Sequence, residues 1–74
     1  MTLSEAAGIL RKMYDQGSIT RDQATQIHLF GIMYAKEIST MSLPELTAQA
    51  GIPQSYKTEI HKGIKLARYV EVKS

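Results

Sequence analysis

Gly51 separates two short stretches that each have the pattern of an amphipathic helix. Ser42 precedes the first stretch and is followed three residues later by Glu45, a spacing typical of a capping box, in which the hydroxyl accepts a hydrogen bond from a helix amide. Glycine supplies the left-handed backbone conformation that ends many helices, and Pro53 is preset for the start of another. We therefore predict two helices joined by a tight turn at Gly51.

The second of these helices is predicted to have an apolar face and a polar face. Its inward residues recur three and four apart, and they are Tyr56, Ile60, Gly63, Ile64 and Ala67. At about 100° per residue, amide, hydroxyl, imidazole and basic groups fall on the opposite face and its flanks. These outward residues are Gln54, Ser55, Lys57, Thr58, His61, Lys62, Lys65 and Arg68.

The segment 43–65 resembles a DNA-binding helix-turn-helix, in which the second helix enters the major groove. The matching residues are Leu46, Ala50, Gly51, Ile52 and Ile60. Thr47 stands where the motif usually has alanine, and Lys57 stands where it usually has a buried valine or isoleucine. Tyr56 is then expected to take that inward role. The alternative is that the corner belongs to a small helical domain that binds no nucleic acid.

The resemblance implies roles for the outward side chains on double-stranded DNA. Groups near the start of the helix would contact base edges, and these are Gln54, Ser55 and Thr58. The residues that would neutralise phosphates are Lys57, Lys62, Lys65 and Arg68. His61 would meet a phosphate or a base edge, and the alternative is an exposed histidine with no role.

The distribution of charge favours the same segment. The net charge of +2 is too small by itself to indicate a nucleic-acid partner, because it averages over acidic and basic regions. From residue 57 to the end the chain has five basic and two acidic residues, whereas residues 1–56 have four basic and five acidic ones. The positive charge is therefore concentrated on the last predicted helix and the residues that follow it.

A long amphipathic helix is predicted at the start of the chain. Thr2 and Glu5 have capping-box spacing, and apolar residues recur at helical spacing over 3–14. The helix is expected to end near Gln16, because Gly17 and the serine after it favour a break.

A second long helix is predicted over about 21–38, with Thr20 and Gln23 as a further capping-box candidate. It is apolar over most of its circumference in its C-terminal half, which indicates a central core helix or one that also contacts a second copy of the chain. The candidate homodimer surface is Leu29, Phe30 and Met33. Gly31 would allow another helix to approach closely.

A wider resemblance rests on the segments 25–38, 42–46 and 50–60. Together they are similar to a family of small bacterial helix-turn-helix-like domains, which occur alone or attached to larger proteins, and the similarity spans about 10–72. It implies a compact all-α domain with a presumed DNA-binding role. Such a domain would act as a small transcription regulator or as the targeting module of a larger system. Combined with the helical periodicity, it predicts about four helices, a helix-turn-helix at about 42–68 and a short extended tail.

Length and composition restrict the class of protein. Seventy-four residues with 43% hydrophobic content predict one globular domain, residues 1–74. The absence of cysteine excludes disulfides, thiolate metal sites and a cysteine nucleophile. No apolar run approaches the ~20 residues that cross a bilayer, and no signal peptide is recognisable, so we expect a cytoplasmic protein that does not contact membranes.

No catalytic, cofactor or metal site is predicted. His28 and His61 lie on different predicted helices, and zinc generally needs three or four ligands, so His28 is interpreted as a ring packed beside the core. Met13, Met33 and Met41 are interpreted as core side chains. No catalytic motif is recognisable, and a chain of this size is expected to have difficulty forming a ligand pocket of ~300 Å³ or more.

Overall fold

The computed structural model describes residues 1–70, and this part of the chain is helical and contains no strand. Its helices are α1 (Leu3–Thr20), α2 (Gln23–Met33), α3 (Ala35–Ile38), α4 (Leu43–Ala50) and α5 (Lys57–Leu66), with a 3₁₀ turn at Gln54–Tyr56. The predicted all-α fold is confirmed. The predicted tail is not extended at its start, because the Val70 amide donates to the Leu66 carbonyl as in a helix. The rest of that tail lies outside the described residues.

The core lies where α1, α2, α4 and α5 meet, and α2 packs against both α1 and α5. Leu10, Phe30, Leu46 and Ile60 are fully buried there, one from each of these helices. The prediction that the second long helix is central is therefore confirmed. Phe30 cannot belong to a dimer surface as predicted, because it is already fully enclosed by its own chain.

The helix α1 is four residues longer than predicted. Gly17 is buried inside it, and a side chain there would meet the backbone of Gln23 at 2.6 Å, so the glycine serves the packing of α2 rather than a break. The helix ends when Arg21 adopts a left-handed conformation. Thr20 is its last residue and donates back to the Gln16 carbonyl, so the predicted capping box with Gln23 does not form; Asp22 precedes α2 instead.

The predicted helix over 21–38 is interrupted at Tyr34, whose backbone leaves helical geometry (φ −114°, ψ 22°). The chain continues beyond it as the single turn of α3, where Ile38 is fully buried. Met33, at the end of α2, is 46% exposed and is not the core side chain that was predicted. Met13 and Met41 do pack against the core.

The predicted capping box at the start of α1 is confirmed. The Glu5 amide donates to the Thr2 hydroxyl, and the Thr2 amide donates to the Glu5 carboxylate. These hydrogen bonds lower the pKa of the Glu5 carboxyl below its usual value.

None of the helices within residues 1–70 is long and apolar enough to cross a membrane.

Candidate nucleic-acid interface

The turn between α4 and α5 has the conformation that the sequence predicts. The Ser42 hydroxyl accepts from the Glu45 amide and starts α4, but within the described residues the Ser42 amide has no bond to the Glu45 carboxylate, so only half of the predicted capping box forms. Gly51 ends it with φ +74°, in the left-handed region, and the Ile52 amide bonds back to the Thr47 carbonyl while its side chain enters the core. The chain direction between the two helices is thus fixed by local hydrogen bonds and one buried apolar anchor.

Thr47 is accommodated where the motif usually has alanine. It is fully buried, and its hydroxyl donates to the carbonyls of Leu43 at 3.0 Å and Pro44 at 3.1 Å. Because the hydroxyl is satisfied within its own helix, its burial carries little of the penalty of an unpaired polar group.

Arg11 of α1 holds the turn from outside. Its Nη1 donates to the carbonyls of Ala50 at 3.3 Å and Gly51 at 3.1 Å, while its Nε pairs with Asp15. A cation at the C-terminal end of α4 is favourable because the carbonyls there carry partial negative charge. This tie between α1 and the turn was not predicted, since nothing local in the sequence connects residues forty positions apart.

The predicted inward role of Tyr56 is confirmed. Its ring packs edge-on against Tyr14, with ring centres 5.4 Å apart, and its hydroxyl donates to the Gln23 side chain. Tyr56 thereby joins the start of α5 to both α1 and α2.

The helix α5 crosses α2 very closely at two glycines. A Cβ at Gly63 would lie 2.9 Å from the Gly31 Cα, and a Cβ at Gly31 would lie 2.6 Å from the Ile60 carbonyl oxygen. The close approach predicted for Gly31 is therefore confirmed, and Gly63 is its partner. The crossing fixes which side of α5 faces the protein.

Opposite this crossing, α5 presents an exposed polar face. We use "polar face" for its four exposed polar residues, which are Thr58, His61, Lys62 and Lys65. Lys62 and Lys65 are the two lysines of this face predicted to bind phosphate, and no other described segment covers them. The Lys62 side chain is 59% exposed. The face is thus available to a partner.

The other four predicted DNA contacts lie around the polar face rather than on it. Gln54 and Ser55 are exposed in the 3₁₀ turn, and the Gln54 amide group donates to the Pro44 carbonyl at 3.2 Å. Lys57 opens α5 and is half-buried, so it is less exposed than the predicted outward position implied. Arg68 is exposed but lies two residues beyond the end of α5, which stops short of the predicted boundary.

Glu59 introduces a negative charge beside the polar face. It is 23% exposed, one of its carboxylate oxygens contacts His28 Nε2, and the other lies 3.7 Å from Lys62 Nζ. His28 packs beside the core as predicted, but its contact with Glu59 joins α2 to α5 and was not predicted. Within residues 1–70, no three His, Asp or Glu side chains come together as a metal site would require.

The turn, the anchored second helix and its exposed polar face define a domain of the helix-turn-helix type. The sequence profile of the HTH-like domain family matches residues 2–73, and the chain belongs to this family. No match was found among curated proteins or among solved structures.

Proposed function

We propose that this domain binds double-stranded DNA by placing the polar face of α5 in the major groove. The observation that carries the proposal is the exposure of Lys62 and Lys65 on the side of α5 opposite Ile60 and Gly63, which are buried. Membership of the HTH-like domain family supports it. The domain would act as a small regulator or as the DNA-targeting module of a larger system.

The dimensions of α5 are compatible with this arrangement. Its ten residues span about 15 Å, and the major groove is about 12 Å wide. Thr58 near its start, with Ser55 before it, is positioned to meet base edges, whereas Lys62, Lys65 and Arg68 lie further along and would meet phosphates. The Gln54 amide group is held by one N–H on the Pro44 carbonyl, and its second N–H and its oxygen would be left to bond to a base.

The proposal is tested by reversing the charge of the polar face. In a Lys62→Glu, Lys65→Glu double variant, binding to random-sequence duplex DNA should be lost, because two phosphate contacts become repulsive. The intact domain should bind with an affinity that falls as salt rises, since phosphate neutralisation releases counterions. A fluorescence-anisotropy titration at two salt concentrations measures both.

The matched control is a Lys12→Glu, Lys36→Glu double variant, which changes the net charge equally at exposed positions on α1 and α3. It should retain most of the DNA affinity. Circular dichroism should show both variants folded, because all four lysines are exposed. Absent or salt-independent binding by the intact domain, or equal losses in the two variants, would contradict the proposal.

The alternative is a protein-interaction or dimerisation module in which the helix-turn-helix is only a packing corner. The burial of Phe30 leaves Leu29, half-buried, and Met33, exposed, as the accessible part of the predicted dimer surface. Sedimentation with and without DNA separates the two functions. A stable homodimer that shows no shift with DNA would favour the alternative.

A further inference from the structure

A cleft lies at the interruption of the second long helix. It has a volume of about 410 Å³, and its lining comes from the junction of α2 and α3 and from the C-terminal end of α5. It exceeds the ~300 Å³ at which ligand pockets begin, so the difficulty expected for a chain of this size does not prevent such a space here.

The apolar part of the lining comes from both sides of the cleft. Ile32, Met33 and Ala35 contribute from the interrupted helix, and Ile64 and Ala67 contribute from α5 and the residue after it. Met33 is nearly half exposed. Water at this concave apolar surface would be displaced favourably by an apolar side chain.

The charged part of the lining is predominantly positive. Lys36 and Arg68 line the cleft together with the single acidic residue Glu37. Neither cation forms an ion pair with another residue of the described chain 1–70. The cleft therefore combines an apolar surface with two cations that have no described partner.

We propose that the cleft binds an acidic peptide segment of a partner protein. One apolar side chain of the segment would pack against Met33 and Ile64, and neighbouring carboxylates would pair with Lys36 and Arg68. A DNA phosphate would satisfy the cations but would leave the apolar lining uncovered, so the combination favours a peptide. The proposal does not depend on DNA binding, although it supplies the kind of partner that a domain with few DNA contacts would need.

The experiment uses the intact chain and a random dodecapeptide library displayed on phage. After selection, the most enriched peptide is synthesised and titrated into protein labelled with ¹³C at its methionine methyl groups. The enriched sequences should combine Asp or Glu with a large apolar residue. The Met33 methyl signal should move on binding, whereas the signals of Met13 and Met41, which pack against the core, should move little.

Charge reversal identifies the site. Lys36→Glu should weaken peptide binding roughly tenfold, because a cation in direct contact with carboxylates is replaced by a repulsive charge. Lys12→Glu, which makes the same charge change on α1, should weaken it no more than roughly twofold through screened long-range repulsion. Unchanged Met13 and Met41 methyl signals establish that each variant is folded.

Several results would overturn the proposal. These are a failure to enrich any sequence, enrichment of uncharged or basic sequences, an unmoved Met33 signal, or equal losses in the two variants. A Met33 signal that moves on dilution without peptide would show that a second copy of the chain occupies the cleft instead. The Lys62→Glu, Lys65→Glu variant, whose changed residues do not line the cleft, should lose DNA binding and keep the peptide, so failure of this proposal is distinguishable from failure of DNA binding.

Discussion

Arg11 makes three kinds of contact with one guanidinium group. It pairs with Asp15, lies 5.8 Å from the centre of the Tyr14 ring, and donates to the last carbonyls of α4. The first two contacts are local to α1, and exposed local pairs of this kind contribute little stability. The contact with the turn is different because it joins two elements and satisfies carbonyls that the helix leaves unpaired.

Replacing Arg11 with alanine should lower the free energy of unfolding by about 1 kcal/mol, since charge-assisted bonds to the end of α4 are lost. The largest amide chemical-shift changes should fall at Gly51 and Ile52. Urea denaturation and two-dimensional NMR measure the two effects. Lys12→Ala removes a neighbouring exposed cation and should change neither the free energy of unfolding nor the amide shifts of Gly51 and Ile52. If Lys12→Ala changed them as much as Arg11→Ala, Arg11 would not hold the turn.

Glu59 acts on the polar face through charge. It lies near Lys62 and contacts His28, so it reduces the positive potential that α5 would offer to phosphates. Glu59→Gln should therefore raise affinity for duplex DNA roughly twofold to fivefold, which corresponds to about 0.5 to 1 kcal/mol.

The control for Glu59 is Glu5→Gln, which removes one negative charge from the first turn of α1 and keeps a side chain that can serve the capping box. It should change DNA affinity less. Fluorescence anisotropy measures both variants, and the melting temperature is recorded separately because Glu59 also joins α2 to α5. Weaker DNA binding by a folded Glu59→Gln variant would show that this carboxylate supports the interface rather than opposing it.

At the scale of helices, the crossing of α2 and α5 determines how the polar face is presented. Their backbones touch at Gly31 and Gly63, so α5 has little freedom to rotate or slide. Such close contact excludes any side chain at either position, because backbone atoms cannot move aside as a flexible side chain can. The orientation of the polar face is thus linked to the smallest residues of the core.

Two glycine substitutions should therefore change the free energy of unfolding in opposite directions. Gly63→Ala should lower the free energy of unfolding by about 1 to 3 kcal/mol, because its methyl group would displace α2. Gly8→Ala should raise it by up to about 1 kcal/mol, since Gly8 is exposed in α1 and no atom lies within 4 Å of an added Cβ. Urea denaturation of both variants measures these changes. A Gly63→Ala variant with an unchanged free energy of unfolding would contradict the close crossing.

The elements differ in how far the sequence predicts them. The starts of α1 and α4 and the turn at Gly51 follow from side chains within a few residues, and local chemistry is sufficient to place them. The end of α1 depends instead on how Gly17 packs against α2, and the interruption at Tyr34 accompanies the burial of Ile38. These features depend on tertiary contacts, which override local breaking and helix-forming signals.

At the candidate interface too, the sequence predicts what local patterns determine and misses what tertiary contacts determine. Periodicity correctly places Lys62 and Lys65 outward, because a helix with a strongly apolar side has one solvent side. It does not reveal that Arg11 holds the turn or that Glu59 contacts His28, since both contacts join residues far apart in sequence. It also does not reveal the cleft, whose lining joins residues 32–39 to residues 64–68.

At the scale of the whole molecule, one domain offers few contacts to DNA. The four cations predicted to meet phosphates are Lys57, Lys62, Lys65 and Arg68, and Lys57 is half-buried. Most binding energy of so small a footprint would come from counterion release, so the proposed DNA affinity should depend steeply on salt and weakly on sequence. Higher affinity would require two polar faces on one DNA molecule.

The salt dependence of DNA binding therefore reports how many copies bind. Each neutralised phosphate contributes about −0.9 to the slope of log K against log salt concentration, so one domain using all four cations should give a slope of about −3.6. A dimer placing two polar faces on one duplex should give about twice that slope. Anisotropy titrations over a series of salt concentrations measure it, and sedimentation of the same complex counts the copies. A slope near zero with a single bound copy would mean that the cations of α5 do not contact phosphate.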